Sequence, residues 1–362
     1  MADNSTFDPN NVDLDTADPT DIICYLNAGG NDYDGRLGAR ISALFVILVV
    51  STAATLFPVL ATRIKRLRVP LYVYLFARYF GSGVIIATAF IHLLDPAYDE
   101  IGGASCVGMT GGWAEYSWVP AIVLTSIMVI FLLYFLADWY VESKYGGTTH
   151  TGVENAVCNL ESDRAVHDGN SDIPTSHDSG KVDVYYQSDA SIDEEKTQRA
   201  FQEQIASFLI LEFGVIFHSV IIGLNLGVVG EEFTTLYPVL VFHQSFEGLG
   251  IGARLSSIPF PRRLHWMPYA LCIAYGLTTP IAIAIGLGLR TTYDGGSFTA
   301  NVVSGVLDSI SAGILIYTGL VEMLAKDFIF DPHRTRDKKR ITFMLVSLYL
   351  GTMVMALLGK WA

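Results

Sequence analysis

Long apolar blocks separated by polar gaps recur along most of the chain. Eight blocks are long enough to cross a membrane, namely 41–61, 71–94, 118–138, 203–229, 237–256, 265–289, 303–325 and 341–361. About 20 consecutive apolar residues in a helix cross the roughly 30 Å hydrocarbon core of a bilayer. Buried helices of soluble proteins seldom recur so often at this length. The pattern therefore predicts an all-α polytopic membrane protein with eight transmembrane helices.

Two polar segments divide the chain into four parts. Residues 1–40 form an acidic tail, 41–138 contain spans 1–3, 139–202 form a long polar gap, and 203–362 contain spans 4–8. The gap is rich in Asp, Ser, Gly, Thr and Asn, and it has too little apolar content to fold alone. We therefore predict that 139–202 is disordered.

The long gap also contains residues with possible regulatory chemistry. Its histidines and cysteine could bind a metal ion weakly, but their loose spacing favours a solvated linker; they are His150, Cys158, His167 and His177. Its lysines could accept modifications, although the sequence does not establish this; they are Lys144, Lys181 and Lys196.

The basic residues predict how the spans are oriented. They cluster in the gaps after spans 1, 5 and 7, at Arg63, Lys65, Arg66, Arg68, Arg262, Arg263, Lys326, Arg334, Arg336, Lys338, Lys339 and Arg340. The alternate gaps contain almost none, and cytoplasmic loops are enriched in Lys and Arg. Both termini are therefore predicted to be extracellular and the 139–202 loop cytosolic. The first 40 residues contain no apolar signal-peptide core, so span 1 is expected to direct insertion.

Composition narrows the functional classes. The 362 residues are 51% hydrophobic and 16% charged, with a mean hydropathy of +0.40, whereas soluble proteins carry about 25% charged residues. The 36 acidic and 23 basic residues give a net charge of −13, which disfavours a nucleic-acid partner because phosphates need a basic surface. No Walker-type phosphate loop is present, so ATP is not expected to drive any transport.

Features of the outer segments agree with the predicted orientation. Asn4 begins an Asn-Ser-Thr glycosylation sequon in the tail. Cys24 and Cys106 would share the oxidising side and could form a disulfide, but two unpaired thiols are an equal alternative. Cys158 and Cys272 are expected to be structural or inert.

Polar residues within the apolar spans are the candidates for chemistry, because an ionisable group at membrane depth is costly unless it is paired or hydrated. In span 4, seven residues turn a helix by about 700°, which places His218 and Asn225 on one face near Gly223. In span 5, the i, i+4 spacing places His243 and Glu247 on one face, next to Gly248. Two imidazoles and a carboxylate are ligands that zinc accepts. A lone His or Glu can instead be a hydrogen-bonding group between helices, but three metal-ligand residues on adjacent spans at matching depth favour an ion site.

These residues stand in motifs that resemble the ZIP (Zrt/Irt-like) family of zinc and iron transporters. The fourth span reads His-Ser-Val-x-x-Gly from His218, and the fifth reads His-Gln-x-Phe-Glu-Gly from His243. The similarity extends to 89–96, 278–281, Tyr317 and Glu322, and so covers nearly all of 41–361. It is closest to the plasma-membrane branch from fungi and plants.

The resemblance implies a role for each matching residue. His218, His243 and Glu247 would form the primary metal site, with Gln244 and Ser219 beside them. His92 would be an entrance ligand or a third imidazole. Asn225, Gly223 and Gly248 would support the site, Asp308 with Ser309 would shape the outer end of the path, and Glu322 would be either an exit ligand or an interfacial anchor.

The sequence departs from the family pattern in two places. Some relatives have a second metal position built from acids and Asn in spans 4, 5 and 6. Here Ile222, Gln244 and Thr279 occupy those places, so one principal metal is expected. The cytosolic gap also lacks dense His-x-His repeats, which argues against strong metal binding by the loop.

The resemblance also implies a mechanism. A divalent cation would enter from outside as spans 1 and 4–6 move against spans 2, 3, 7 and 8, in a plasma-membrane homodimer without a cofactor. Zinc is the first candidate, while ferrous iron, manganese and cadmium remain alternatives, because imidazole binds several of these metals. Outer acids could concentrate cations or could simply be solvated; they are Asp95, Asp99, Glu100, Glu231 and Glu232.

Two other functional classes are alternatives. A membrane-embedded zinc hydrolase would hold zinc with an open position for water. It would need a general base, yet the spans contain no His-Glu-x-x-His helix and no second midspan carboxylate is apparent beside Glu247. A signalling receptor fits eight spans and a midspan ligand set poorly.

Overall fold

The computed structural model describes residues 8–13, 15–27, 33–64, 69–145, 189–331 and 334–361. Within these ranges the regular structure is entirely helical. The helices are α1 (Pro19–Asn27), α2 (Leu37–Arg63), α3 (Leu71–Ala87), α4 (Asp95–Ile101), α5 (Trp118–Tyr145), α6 (Asp189–Val228), α7 (Phe233–Ser257), α8 (Met267–Leu289), α9 (Phe298–Tyr317) and α10 (Lys338–Leu358).

Some predictions fall on residues outside the described ranges. They concern Asn4, Lys65, Arg66, Arg68, His150, Cys158, His167, His177 and Lys181. The side chain of Lys196 is likewise not described.

Two long helices contain π-helical segments. Thr88–Leu94 joins α3 to α4 in one continuous helix, and Thr318–Phe330 extends α9. The first segment contains His92 and the second contains Glu322. Because π-helical turns shift the register of all later side chains and occur frequently at functional sites, they change which residues face the bundle interior.

Seven helices in the described ranges are long and apolar enough to cross a membrane. The remaining predicted span corresponds to α7, which has 25 residues but contains His243, Gln244 and Glu247. Helices α2 and α3 pack against α7, so these polar side chains lie inside the bundle rather than against lipid. The structure thus supports a multi-pass helical protein, and the eighth crossing stays a prediction.

The long polar loop is shorter than predicted, because helices extend into it from both sides. Helix α5 continues to Tyr145 and α6 begins at Asp189, whereas disorder was predicted for all of 139–202. The residues after Asp189 include Glu, Lys, Gln, Arg and Ala, which favour helix. Arg199 also pairs with Glu203 one turn later at 2.9 Å.

Cys24 and Cys106 form a disulfide, with their Cα atoms 4.6 Å apart. This bond resolves the alternative that the sequence left open. It ties α1 to the segment after α4 and defines what we call the disulfide end of the bundle. The far end contains Arg63, which lies over the Phe260 and Tyr269 rings. Cys272 is a buried free thiol.

Candidate metal site

Two histidines from neighbouring helices meet in the middle of the bundle. Nε2 of His218 on α6 lies 3.3 Å from Nε2 of His243 on α7. Both side chains are buried, with 1% and 2% of their surface exposed. Two nitrogens bound tetrahedrally to one zinc ion at about 2.0 to 2.1 Å lie roughly 3.3 to 3.4 Å apart. The separation therefore suits two ligands of a single metal ion.

Glu247 lies next to this pair. Its Oε2 is 3.9 Å from His243 Nε2, as the predicted one-turn spacing requires. The single proton of the Tyr275 hydroxyl on α8 is shared between two acceptors, Glu247 Oε2 at 3.2 Å and Gln244 Oε1 at 3.0 Å. Tyr275 thus holds both side chains in place and leaves Glu247 Oε1 without a partner.

His92 reaches the same cluster from the first π-helical segment. Its ring packs edge-on against His243, with centroids 4.8 Å apart. Its Nε2 is 3.3 Å from the Met355 carbonyl oxygen. This placement favours the third-imidazole interpretation of His92.

Close helix contacts hold the site helices together. A Cβ at Gly223 on α6 would lie 2.7 Å from the Ala282 Cβ, and one at Gly248 on α7 would lie 2.7 Å from the Thr55 hydroxyl. The Thr279 carbonyl oxygen is also 2.8 Å from the Gly223 position, so Gly223 requires glycine, whereas a side chain at Gly248 would first have to displace the Thr55 hydroxyl. On α8, Pro280 cannot donate to the carbonyl of Gly276; the Ser51 hydroxyl lies 3.4 Å from that oxygen but donates to the nearer Ile47 carbonyl at 2.7 Å.

Several buried polar atoms around the site have no hydrogen-bond partner. They are His218 Nδ1, Ser219 Oγ, Gln244 Nε2, Glu247 Oε1 and Thr279 Oγ1. Buried polar groups normally have a hydrogen-bond partner. The cluster of unpartnered atoms therefore favours a site for a polar or charged ligand. No group of three or more His, Cys, Asp or Glu in the described ranges is already arranged to hold a metal.

Three predicted residues lie away from the cluster. Asn225 is exposed near the end of α6, two turns beyond His218. Asp308 is buried on α9 with an unpartnered Oδ1. Glu322 lies near the far end, where it accepts from Ser207 Oγ at 3.3 Å and Lys326 Nζ at 3.2 Å.

Four of the five outer acids are exposed to solvent, two of them on α4. The exposed ones are Asp95, Asp99, Glu231 and Glu232. Glu100 is partly buried, and its Oε2 has no partner.

Two functional candidates were not predicted from the sequence. Tyr275 lies one helical turn before Thr279 on α8. This spacing places both residues on the same face of the helix, and it could have identified Tyr275 once span 6 was placed beside span 5. Glu212 on α6 is buried with an unpartnered Oε2. It interacts electrostatically with Glu247, so a second midspan carboxylate is present after all.

Comparisons with known proteins support the resemblance. A family model described as ZIP Zinc transporter matches residues 37–359. The chain is 58% identical to Zinc-regulated transporter 1 of Saccharomyces cerevisiae, over 98% of this chain and 97% of that protein. It is 41% identical to Zinc-regulated transporter 1 of Schizosaccharomyces pombe, over 92% and 87% of the two chains.

A plant protein also matches along nearly its whole length. The chain is 31% identical to Zinc transporter 9 of rice, Oryza sativa, over 94% of each chain. No solved structure matches. The family match covers all the helices from α2 to α10, including those that carry the buried histidines. The chain therefore belongs to the ZIP zinc transporter family.

Proposed function

We propose that the protein moves zinc from outside into the cytosol through a site formed by His218, His243 and Glu247. The observation that carries this proposal is the 3.3 Å separation of the two buried imidazole nitrogens beside a buried carboxylate. Family membership makes the chain a transporter rather than an enzyme, as the sequence analysis expected, so the hydrolase alternative is set aside.

The ligand set suits a transported ion better than a permanent structural zinc. Structural zinc sites are closed by four strong ligands, whereas transport requires binding that is favourable yet releasable. Here two imidazoles and one carboxylate replace hydration waters, and neutral groups complete the surroundings. Gln244, Ser219 and Thr279 supply those neutral polar atoms, which agrees with one principal metal.

We propose that the far end faces the cytosol and both termini face outside. The disulfide supports this orientation, because disulfides persist in oxidising compartments. The basic residues support it too, since Arg63, Arg262 and Arg263 lie at or near the far end. His92 then lies between the outer end of the bundle and His243, as an entrance ligand or a third imidazole would.

Several finer predictions complete the proposal. The protein resides in the plasma membrane as a homodimer, with α2 and α6–α8 moving against the other transmembrane helices. Helix α5 exposes large apolar side chains, including Leu124, Phe131 and Phe135, which either lipid or a partner subunit can cover. Ferrous iron, manganese and cadmium are the competing substrates.

Zinc-65 uptake into proteoliposomes containing the purified protein tests the proposal. We expect saturable influx that unlabelled zinc suppresses, while equal concentrations of ferrous iron, manganese and cadmium rank the selectivity. Empty liposomes and a His218→Ala/His243→Ala variant are the controls. No zinc influx above that of empty liposomes would overturn the proposal.

Tyr275→Phe is expected to slow zinc transport without abolishing it. The variant keeps the ring but removes the hydroxyl that donates to Gln244 and Glu247, so the carboxylate loses its fixed orientation. Groups that orient metal ligands typically contribute about 10-fold or more to metal affinity, and we expect a rise of about that size in KM. Initial rates of zinc-65 uptake measure it.

A matched control is Tyr237→Phe on α7, whose hydroxyl lies 3.5 Å from the exposed Ser42 and away from the metal site. It should leave KM unchanged. An unchanged KM in Tyr275→Phe would show that the hydroxyl does not orient the ligands.

A further inference from the structure

A second buried carboxylate lies on the far-end side of the histidines. The side chain of Glu212 is 94% buried on α6, since 6% of its surface is exposed, and its Oε2 has no hydrogen-bond partner. It interacts electrostatically with Glu247, Cys272 and Tyr275. The roles proposed above for other residues do not account for it.

Two contacts between α6 and α7 fix the depth of Glu212. The helices touch at His218–His243 and again at Ser207–Arg254, where the Arg254 guanidinium donates to the Ser207 hydroxyl at 2.6 Å. The two contacts are eleven residues apart on each helix, from Ser207 to His218 on α6 and from His243 to Arg254 on α7. The helices therefore run antiparallel without a shift in register. Glu212 is six residues from His218 toward the far end, and Glu247 is four residues from His243. At 1.5 Å per residue, their depths below the histidines are about 9 Å and about 6 Å.

The two carboxylates thus lie at neighbouring depths, and each has an unpartnered oxygen. Two like charges in a low-dielectric interior repel strongly, and an unpaired buried charge is costly. A divalent cation near both would offset the repulsion, and carboxylate oxygens are accepted ligands of zinc.

A polar cavity lies beyond Glu212 toward the far end, starting at Ser207 on α6. It has a volume of about 480 Å³ and is lined by Ser207, Arg254 and Glu322 among others. Glu212 lies between the histidine site and this cavity along α6. A cation released from the histidines would therefore meet Glu212 before it meets the cavity.

We infer that Glu212 and Glu247 form a second station for the divalent cation, which receives it from the histidines and passes it toward the far-end cavity. Glu247 is shared by both stations, and Glu212 belongs to the second alone. This inference rests on the proposed function, because it assigns one step of the same transport path.

Glu212→Gln tests the inference in proteoliposomes. The amide keeps the shape of the side chain but removes the charge. Because the histidine site remains, we expect KM for zinc to stay within error of the wild type, while Vmax falls by about 10-fold, the lower end of what loss of a metal-supporting group produces. Glu212→Asp keeps the charge and should recover part of Vmax. The matched control is Glu203→Gln, which changes a partly exposed carboxylate on the same helix and should transport normally.

Zinc binding provides a readout independent of flux. We expect purified His218→Ala/His243→Ala protein to retain a weak zinc site in calorimetry, and the addition of Glu212→Gln to remove that site. The addition of Glu203→Gln to the double variant should leave the weak site in place. Any zinc binding by the loop histidines is the same in the two triple variants.

The outcomes separate this inference from the proposed function. Wild-type Vmax in Glu212→Gln, or equal loss in the Gln and Asp variants, would overturn the second station while leaving zinc transport intact. Unchanged weak binding in the triple variant would also overturn it. Absence of uptake by the wild type would instead overturn the proposed function.

Discussion

His243→Ala is expected to abolish measurable zinc uptake while the protein still reaches the membrane. His243 contacts both His218 and His92 and lies one turn from Glu247, so its loss removes the contacts that join these three side chains. Even groups that only orient metal ligands contribute about 10- to 100-fold in affinity or activity, and we expect loss of a ligand to exceed the upper value. Zinc-65 uptake at several zinc concentrations measures the effect.

The control for this variant is His265→Ala, which removes an exposed histidine before α8. It should transport at the wild-type rate. Surface expression and elution as a single peak in gel filtration establish that His243→Ala is assembled. Normal uptake by assembled His243→Ala would exclude the proposed site.

The core of this site could be predicted because its spacing is local. The i, i+4 step that joins His243 to Glu247 depends only on helix geometry. The pairing of α6 with α7 is not local, and it was inferred from the matching depth of the ligands in adjacent spans and from the family resemblance. The structure then placed the two imidazoles within 3.3 Å of each other.

Asn225 shows where helix geometry alone fails. Seven residues return nearly to the same face, but they also rise about 10 Å along the axis. His218 lies where α7 and α8 cover α6, whereas Asn225 is close to the end of α6 and is exposed. A shared face therefore does not imply a shared environment.

The π-helical segments were also invisible to periodicity. A helical pattern assumes a constant turn per residue, and a π turn changes it. The segment Thr88–Leu94 determines how His92 faces His243. Tyr275 could not be predicted from a motif either, because its role depends on the contact of α8 with α7.

Arg40 falls at the end of the predicted outer tail, residues 1–40. Its side chain is fully buried at the start of α2. It donates from Nη1 to the Leu226 carbonyl at 3.0 Å and from Nη2 to the Val229 carbonyl and to Asp34, the last at 2.8 Å. The carbonyls at the end of α6 have no partners within the helix, and a cation there also complements the helix dipole. Arg40 therefore fastens the disulfide end of α2 to α6.

Arg40→Ala is expected to lower the free energy of unfolding by about 3 kcal/mol, because buried carbonyls and a carboxylate lose their charged donor. Thermal unfolding of the detergent-solubilised protein, followed by intrinsic fluorescence, measures the shift. Arg36→Ala is the matched control: Arg36 pairs with the same Asp34 at 3.1 Å, but its side chain is 41% exposed, and exposed pairs contribute less than about 1 kcal/mol. Equal midpoints for the two variants would show that Arg40 does not fasten the helices, whereas a large shift in Arg40→Ala alone would establish that a buried arginine holds the end of α6 that leads into the metal site.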